Sequence, residues 1–282
     1  MKNANTQFLQ FLILVGFFVI TNCYSQNKQK SVEEYLKQLP QNQTIDNNIK
    51  QTYLMTAEYF NRDLYGNFMN KVRVTGEYTR GLGNSFVKWN NCYIAFSDSL
   101  KKDFPTGLKQ DYMENLTYVP SNKMLEKSAF EKFPSNVNAV YSKNLIWDMM
   151  AIETFAWQHF DVLQLNQPYI VTEMKGEFQI ADVGSYEHTN VQLCWTGISK
   201  IRDELCAIVE YNAFDNLLNM KTAGMESKGS ENYWGTVYVS LANMQIEFAA
   251  MHSITVQEIK IEGMSQKMIV NTTRHLKVEL IK

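Results

Sequence analysis

Past residue 20 this chain has no apolar run approaching the roughly 20 residues that a membrane-crossing helix requires. It has no surplus of basic charge either: 27 Lys and Arg stand against 29 Asp and Glu, and no basic tract stands out. Nucleic-acid binding draws on clustered Lys and Arg that release counterions from phosphates, so that partner is excluded. Four cysteines and four histidines show no Cys-x-x-Cys or His-x-x-x-His spacing, so neither a structural zinc site nor any other metal is implied. A Gly-x-Ser-x-Gly elbow, a phosphate loop and a dinucleotide glycine fingerprint are all missing. No cofactor follows from the sequence. Nothing among the 29 acids singles out the two carboxylates that glycoside hydrolysis needs, so no catalytic residue is assigned.

What is present begins with a leader. Lys2 is followed by the apolar stretch "FLQFLILVGFFVI" and then by the polar "TNCYSQ". That is the form of a secretory signal peptide over residues 1–25, with Cys23 and Ser25 in the small positions before the cut. Export to the periplasm or medium is expected. The alternative is a lipoprotein anchored at Cys23, since "ITNC" resembles a lipobox except at Asn22. Residues 26–282 then form one domain without a transmembrane segment, long enough for a sizeable core.

Three cysteines remain beyond the leader. Cys194 and Cys206 flank a hairpin in "CWTGISKIRDELC". A two-residue turn at Arg202–Asp203 sets Cys206 opposite Ser199, which leaves Cys194 about 17 Å away along the strand. A disulfide tolerates a Cα separation of only about 5.5 Å, so these two are not bonded to each other. Cys92 is left either to pair with one of them or to be a small buried hydrophobe.

The domain divides into three zones. Residues 26–68 read as helical: "SVEEYLKQL" opens on a capping box at Ser31 and Glu34, and Ile49, Tyr53, Ala57 and Phe60 recur at helical spacing. Residues 69–168 mix strand and loop, with "KVRVTGEYT" and "SFVKWNNCYIAFS" as two strands around "RGLGN". Pro105, Pro120 and Pro134 keep regular structure short before the apolar "LIWDMMAIETFAWQHFDV". Residues 169–282 alternate apolar and polar positions, as in "GTVYVSL" and "HLKVELI", which marks an antiparallel meander with one wet face. The sheet's apolar side must be covered, and only the segment 145–162 is apolar enough to do so. The expected fold is α+β and strand-dominated: a curved, half-barrel-like antiparallel sheet packed on a buried apolar helix, with an N-terminal helical segment.

The stretch "WTGISKIRDELCAIVEY", followed by "WGTVYVSLANMQIEFAAM", resembles successive hairpins of exported curved-sheet proteins of Gram-negative bacteria. Those include the outer-membrane lipoprotein carriers and related secreted proteins. The resemblance covers the third zone only. It implies a half-barrel that holds a helix or lipid in its concavity.

Three ionisable groups interrupt the apolar helix. At 100° per residue its apolar arc covers about 240°, and Asp148 and His159 fall within about 20° of each other. Glu153 lies on another side, between Met149 and Trp157. Asp148 and His159 are about 16 Å apart along the axis, so the three make no tight triad. Each has a structural reading: Asp148 near the helix start, Glu153 paired with a base, His159 neutral in the core. The functional reading is a pocket between helix and sheet, where desolvation shifts Glu153 or His159. Trp157, Trp195 and Trp234 would complete it as stacking surfaces, although most aromatics in such a fold fill core positions.

Three roles stay open. The first is an exported, non-enzymatic protein that binds an apolar ligand or an envelope partner in or beside the sheet. The second is a secreted hydrolase with acid and base drawn from Asp148, Glu153, His159 or His188. The third is a structural surface-associated component.

Overall fold

The computed structural model describes residues 45–46, 48–222 and 224–281. Strands dominate it. The long ones are β1 (Gln51–Asp63), β2 (Phe68–Arg80), β3 (Val87–Ser97), β9 (Val191–Ile201), β10 (Glu204–Thr222), β11 (Met225–Ser240), β12 (Ile246–Ile261) and β13 (Met268–Ile281). Short strands are β4 (Leu108–Lys109), β5 (Leu116–Tyr118), β6 (Pro168–Ile170), β7 (Gly176–Ile180) and β8 (Gly184–His188). They form one open sheet in the order β4-β3-β2-β1-β13-β12-β11-β10-β8-β7, with β5 on β3, β9 also on β10 and β6 on β9. Every strand pairing in it is antiparallel.

The helical reading of residues 51–68 is overturned, because Gln51–Asp63 is a central strand. Tyr53, Met55, Ala57 and Tyr59 are buried on one face while Leu54 points outward. Tyr53 and Ala57 satisfy a four-residue period and a two-residue period equally. Pairing with β2 and β13 on both sides decides for the strand. Ser31 and the rest of residues 26–44 lie outside the described residues, and residues 45–46 and 48–50 are not helical.

The hairpin at Arg202–Asp203 forms as the alternation predicts, with Glu204 opposite Ile201 and Cys206 opposite Ser199. Cys92, Cys194 and Cys206 are all free thiols, so the expected option of a Cys92 disulfide is not realised.

The covering helix, α1, spans Val137–Glu153 and continues as a π-helical turn over Thr154–Gln158. It starts eight residues earlier than the apolar run suggests, because Asn136 caps it: its side chain accepts a hydrogen bond from the Ala139 amide at 3.0 Å. Leu145, Ile146, Met149, Ile152 and Phe155 have no exposed surface. Burial on nearly all sides follows from what packs against it. Beneath is the sheet, where Val209, Val237, Ala249, Val278, Met55 and Gly76 stand in register across six strands. Around the helix pack Phe130, which meets Trp147 edge-on at 5.8 Å, and the β7–β8 hairpin at the end of the same sheet, whose Ile180 and Val183 cluster with Leu218 of β10 and Val140. Gly235 is where close approach requires glycine: an added Cβ would lie 2.4 Å from the Tyr211 hydroxyl. Tyr211 lies over that strand and stacks on Phe155 at 4.5 Å. Among the described residues no helix is long and apolar enough to cross a membrane.

Candidate functional site

The ionisable groups of the apolar helix each find a separate partner. Asp148 is buried and pairs with Arg274 of β13. It sits in the middle of α1 and not near its start, so Arg274, and not the helix terminus, compensates its charge. Glu153 accepts a hydrogen bond from the Tyr78 hydroxyl at 2.8 Å, with Arg80 Nε at 3.8 Å. Burial raises its carboxyl above the ordinary range, while Arg80 and the Tyr78 hydrogen bond pull it back down. His159 lies beyond the π-helical turn, buried, with Nε2 at 3.3 Å from Glu173 Oε1 but without hydrogen-bond alignment.

The tryptophans scatter as well. Trp157 donates from Nε1 to the Met244 carbonyl at 2.7 Å, and the Arg80 guanidinium lies 4.0 Å from its ring centre. Arg80 thereby links Trp157 to Glu153. Trp195 is buried on β9 and donates to the Gly197 carbonyl. Trp234 stands on the opposite face of the sheet from α1, 37% exposed. The structure therefore joins Glu153 with Trp157, and leaves Asp148, His159, Trp195 and Trp234 apart.

A second polar group crosses the helix-bearing face in one row: Asn70, Asn61, Thr272, Thr255, Glu231 and Asn216, in register over β2, β1, β13, β12, β11 and β10. Asn61 donates to Asn70 at 2.7 Å and accepts from Thr272 at 2.7 Å. Glu231 accepts from Thr255 at 3.3 Å and from the Tyr186 hydroxyl at 2.9 Å. Burial raises the Glu231 carboxyl above its ordinary range, against the pull of the Ser253, Tyr186 and Thr255 hydroxyls. Next to it the Tyr233 hydroxyl and His188 Nε2 are 3.1 Å apart, and burial lowers His188 to about 4. The sequence carries a signal for this row that the alternation obscures. Each strand's inward positions switch from apolar to polar at one place, as in Tyr59 to Asn61 or Leu276 to Arg274 and Thr272.

The outer face carries the third constellation, and this one meets solvent. Asn212, Trp234, His252, His275, Glu58 and Arg73 stand in register across β10, β11, β12, β13, β1 and β2. Trp234 stacks on His252 (6.1 Å, 27°), His252 meets His275 edge-on (4.9 Å), and His275 meets Phe60 edge-on (6.2 Å). The two histidine Nδ1 atoms are 2.7 Å apart. Burial, and then the neighbouring His275 charge, lower the His252 ring below its usual value. Glu58 is held by Arg73 at 2.7 Å. Ile254 and Val256, 40% and 43% exposed, extend the apolar surface on β12. Rings presented side by side on a regular sheet form a rigid platform that loses little entropy on binding.

Of the outer row, sequence reasoning singles out Trp234 alone. No protein-family model matches the chain, and no curated protein matches its sequence.

Proposed function

We propose that this is an exported, non-enzymatic protein that binds an envelope partner beside its sheet, on the outer face. The observation that carries this reading is the in-register row Trp234–His252–His275 with Phe60, Ile254 and Val256 around it. Exposed apolar surface concentrated on one strand face marks an interaction site. On the opposite face α1 seats fully buried side chains, with Asp148 paired to Arg274 and Glu153 bonded to Tyr78. The carrier-like half-barrel suggested by the hairpins would thus hold its own helix, with the partner outside. Export rests on the leader in residues 1–25.

Site-specific photocrosslinking tests this. A crosslinker at Ile254, incubated with solubilised envelope, should give a discrete adduct that Trp234→Ala abolishes, while one at Glu177 in β7 gives none. Equal adducts from both positions, or none, would remove the outer face from consideration.

One observation favours the hydrolase as a second reading. Glu231, raised, and His188, lowered, share a wall with Tyr186 and Tyr233, the arrangement of an acid and a base pushed apart. A hydrolase screen in which turnover appears and Glu231→Gln abolishes it would favour that reading over the first.

A further inference from the structure

The histidine pair of the outer face has a geometry that hydrogen bonding alone does not exhaust. His252 and His275 are directly opposed across β12 and β13, and each presents Nδ1 to the other. In the free protein one ring donates its Nδ1 proton to the other's lone pair, so the pair shares a proton between two good metal ligands. We propose that His252 and His275 form a binding site for a divalent transition metal of tetragonal preference, Cu2+ above all, with both Nδ1 atoms as cis ligands.

The preference for Cu2+ rests first on ligand type, since imidazole nitrogens bind Cu2+ most tightly among the divalent first-row ions, and the present spacing is compatible with it. For metal–nitrogen bonds of about 2.0 Å, nitrogens 2.7 Å apart subtend about 85° at the metal. That angle suits adjacent positions of a square-planar or tetragonal ion. A tetrahedral ion such as Zn2+ would need them about 3.3 Å apart. Each ring must turn by roughly 45° to bring its lone pair onto a common point, and the surface position allows this: His275 is exposed and His252 half-buried. Metal binding at both Nδ1 atoms needs both rings as Nε2–H tautomers, so the donor ring's Nδ1 proton passes through solvent to its own Nε2; no net proton is released and no redox change is involved.

The charged groups around the pair are one acid and two bases, so the two imidazoles, not the local charge, would supply the affinity. Glu58 is directly opposite His275 on β1, so a carboxylate stands at the end of the row. Arg73 is bonded to Glu58, and Lys277 lies one row away opposite Ala250. Trp234 and Phe60 wall the pair on either side. Among the described residues no three His, Cys, Asp or Glu side chains converge on one point, so water completes the coordination.

The test uses the untagged mature protein and CuCl2 alone at pH 7.5, with calorimetry and electron paramagnetic resonance. One equivalent should bind, with a tetragonal spectrum split by two nitrogens. His252→Ala and His275→Ala should each weaken binding by about tenfold or more, and the splitting should fall to one nitrogen. Binding should weaken as pH drops to 5, where protons compete. Absence of a bound equivalent, or an unchanged spectrum in the double variant, would overturn the site. Both variants lie on the outer face, and circular dichroism confirms that they remain folded.

Discussion

Asp148 of α1 and Arg274 of β13 are separated by 126 residues of chain and form a buried ion pair where the helix meets the sheet. Arg274 also lies 5.1 Å from the Tyr59 ring centre, so its charge is held from two sides. Removing one member of such a pair strands the other in a low dielectric. Asp148→Asn should therefore cost about 3–5 kcal/mol, read from urea unfolding. Asp148→Leu combined with Arg274→Met should recover most of that loss, because the charge is gone with its partner. A single variant as stable as the parent would show that the pair contributes nothing.

The meander from residue 191 onward was legible because the hairpins are local. Alternation and the turn at Arg202–Asp203 set the register of β9 and β10 within a few residues. The strand β1 was not legible. One neighbour, β13, lies more than 200 residues away, and Tyr53 and Ala57 fit two periods; only the adjacent β2 could have arbitrated locally, by a hairpin through the turn after Asp63. The outer row failed for a different reason. His252 and His275 meet only if β12 and β13 pair in one register across the turn after Ile261, and a slip of one residue would turn His275 to the other face. The helix was legible as a buried apolar element, but its true start depended on Asn136 and its charge partners on distant strands.

The thiols should separate by accessibility. Burial pushes Cys92 and Cys206 up to about 12, and both are fully buried, whereas Cys194 is half-buried with a thiol raised by burial and by Glu210. Because the thiolate is the reacting form, iodoacetamide at pH 8 should modify Cys194 first in the folded protein, and all three after unfolding. Peptide mass mapping reads the order. Cys92 reacting as fast as Cys194, or a linked Cys194–Cys206 peptide pair, would contradict the packing and the register respectively.

His188 makes stability depend on pH in a defined window. Its folded value is about 4, against about 6.5 in an unfolded chain. Above 6.5 the ring is neutral in both states and takes nothing from stability. As pH falls from 6.5 to 4 the unfolded state binds the extra proton, so stability drops through that interval and levels off below it. The full difference is about 3 kcal/mol. His188→Gln should flatten the curve of unfolding free energy against pH between 6.5 and 4. An unchanged slope in that variant would mean that the ring titrates freely in the folded protein.

Glu231 acts with the opposite sign. Its carboxyl is raised by burial, so between the unfolded and folded values the native state holds the proton that the unfolded state has released. The contribution is fully present below the unfolded value, near 4.3, and is lost as pH rises through the folded one. Glu231→Gln keeps the shape and removes the titration. It should match the parent at pH 4 and become the more stable protein as pH rises, by up to about 1.4 kcal/mol per pH unit within that interval. The amide oxygen can accept from one of the Tyr186 and Thr255 hydroxyls, which reach the two carboxyl oxygens at 2.9 and 3.3 Å, and the amide NH2 can donate to the other, so packing is retained. Unfolding curves of the two proteins at pH 4, 6 and 8 measure the divergence. If the parent gained stability relative to the variant as pH rose, the carboxylate would be stabilised in its charged form. Donation from Ser253, Tyr186 and Thr255 would then outweigh the cost of burial.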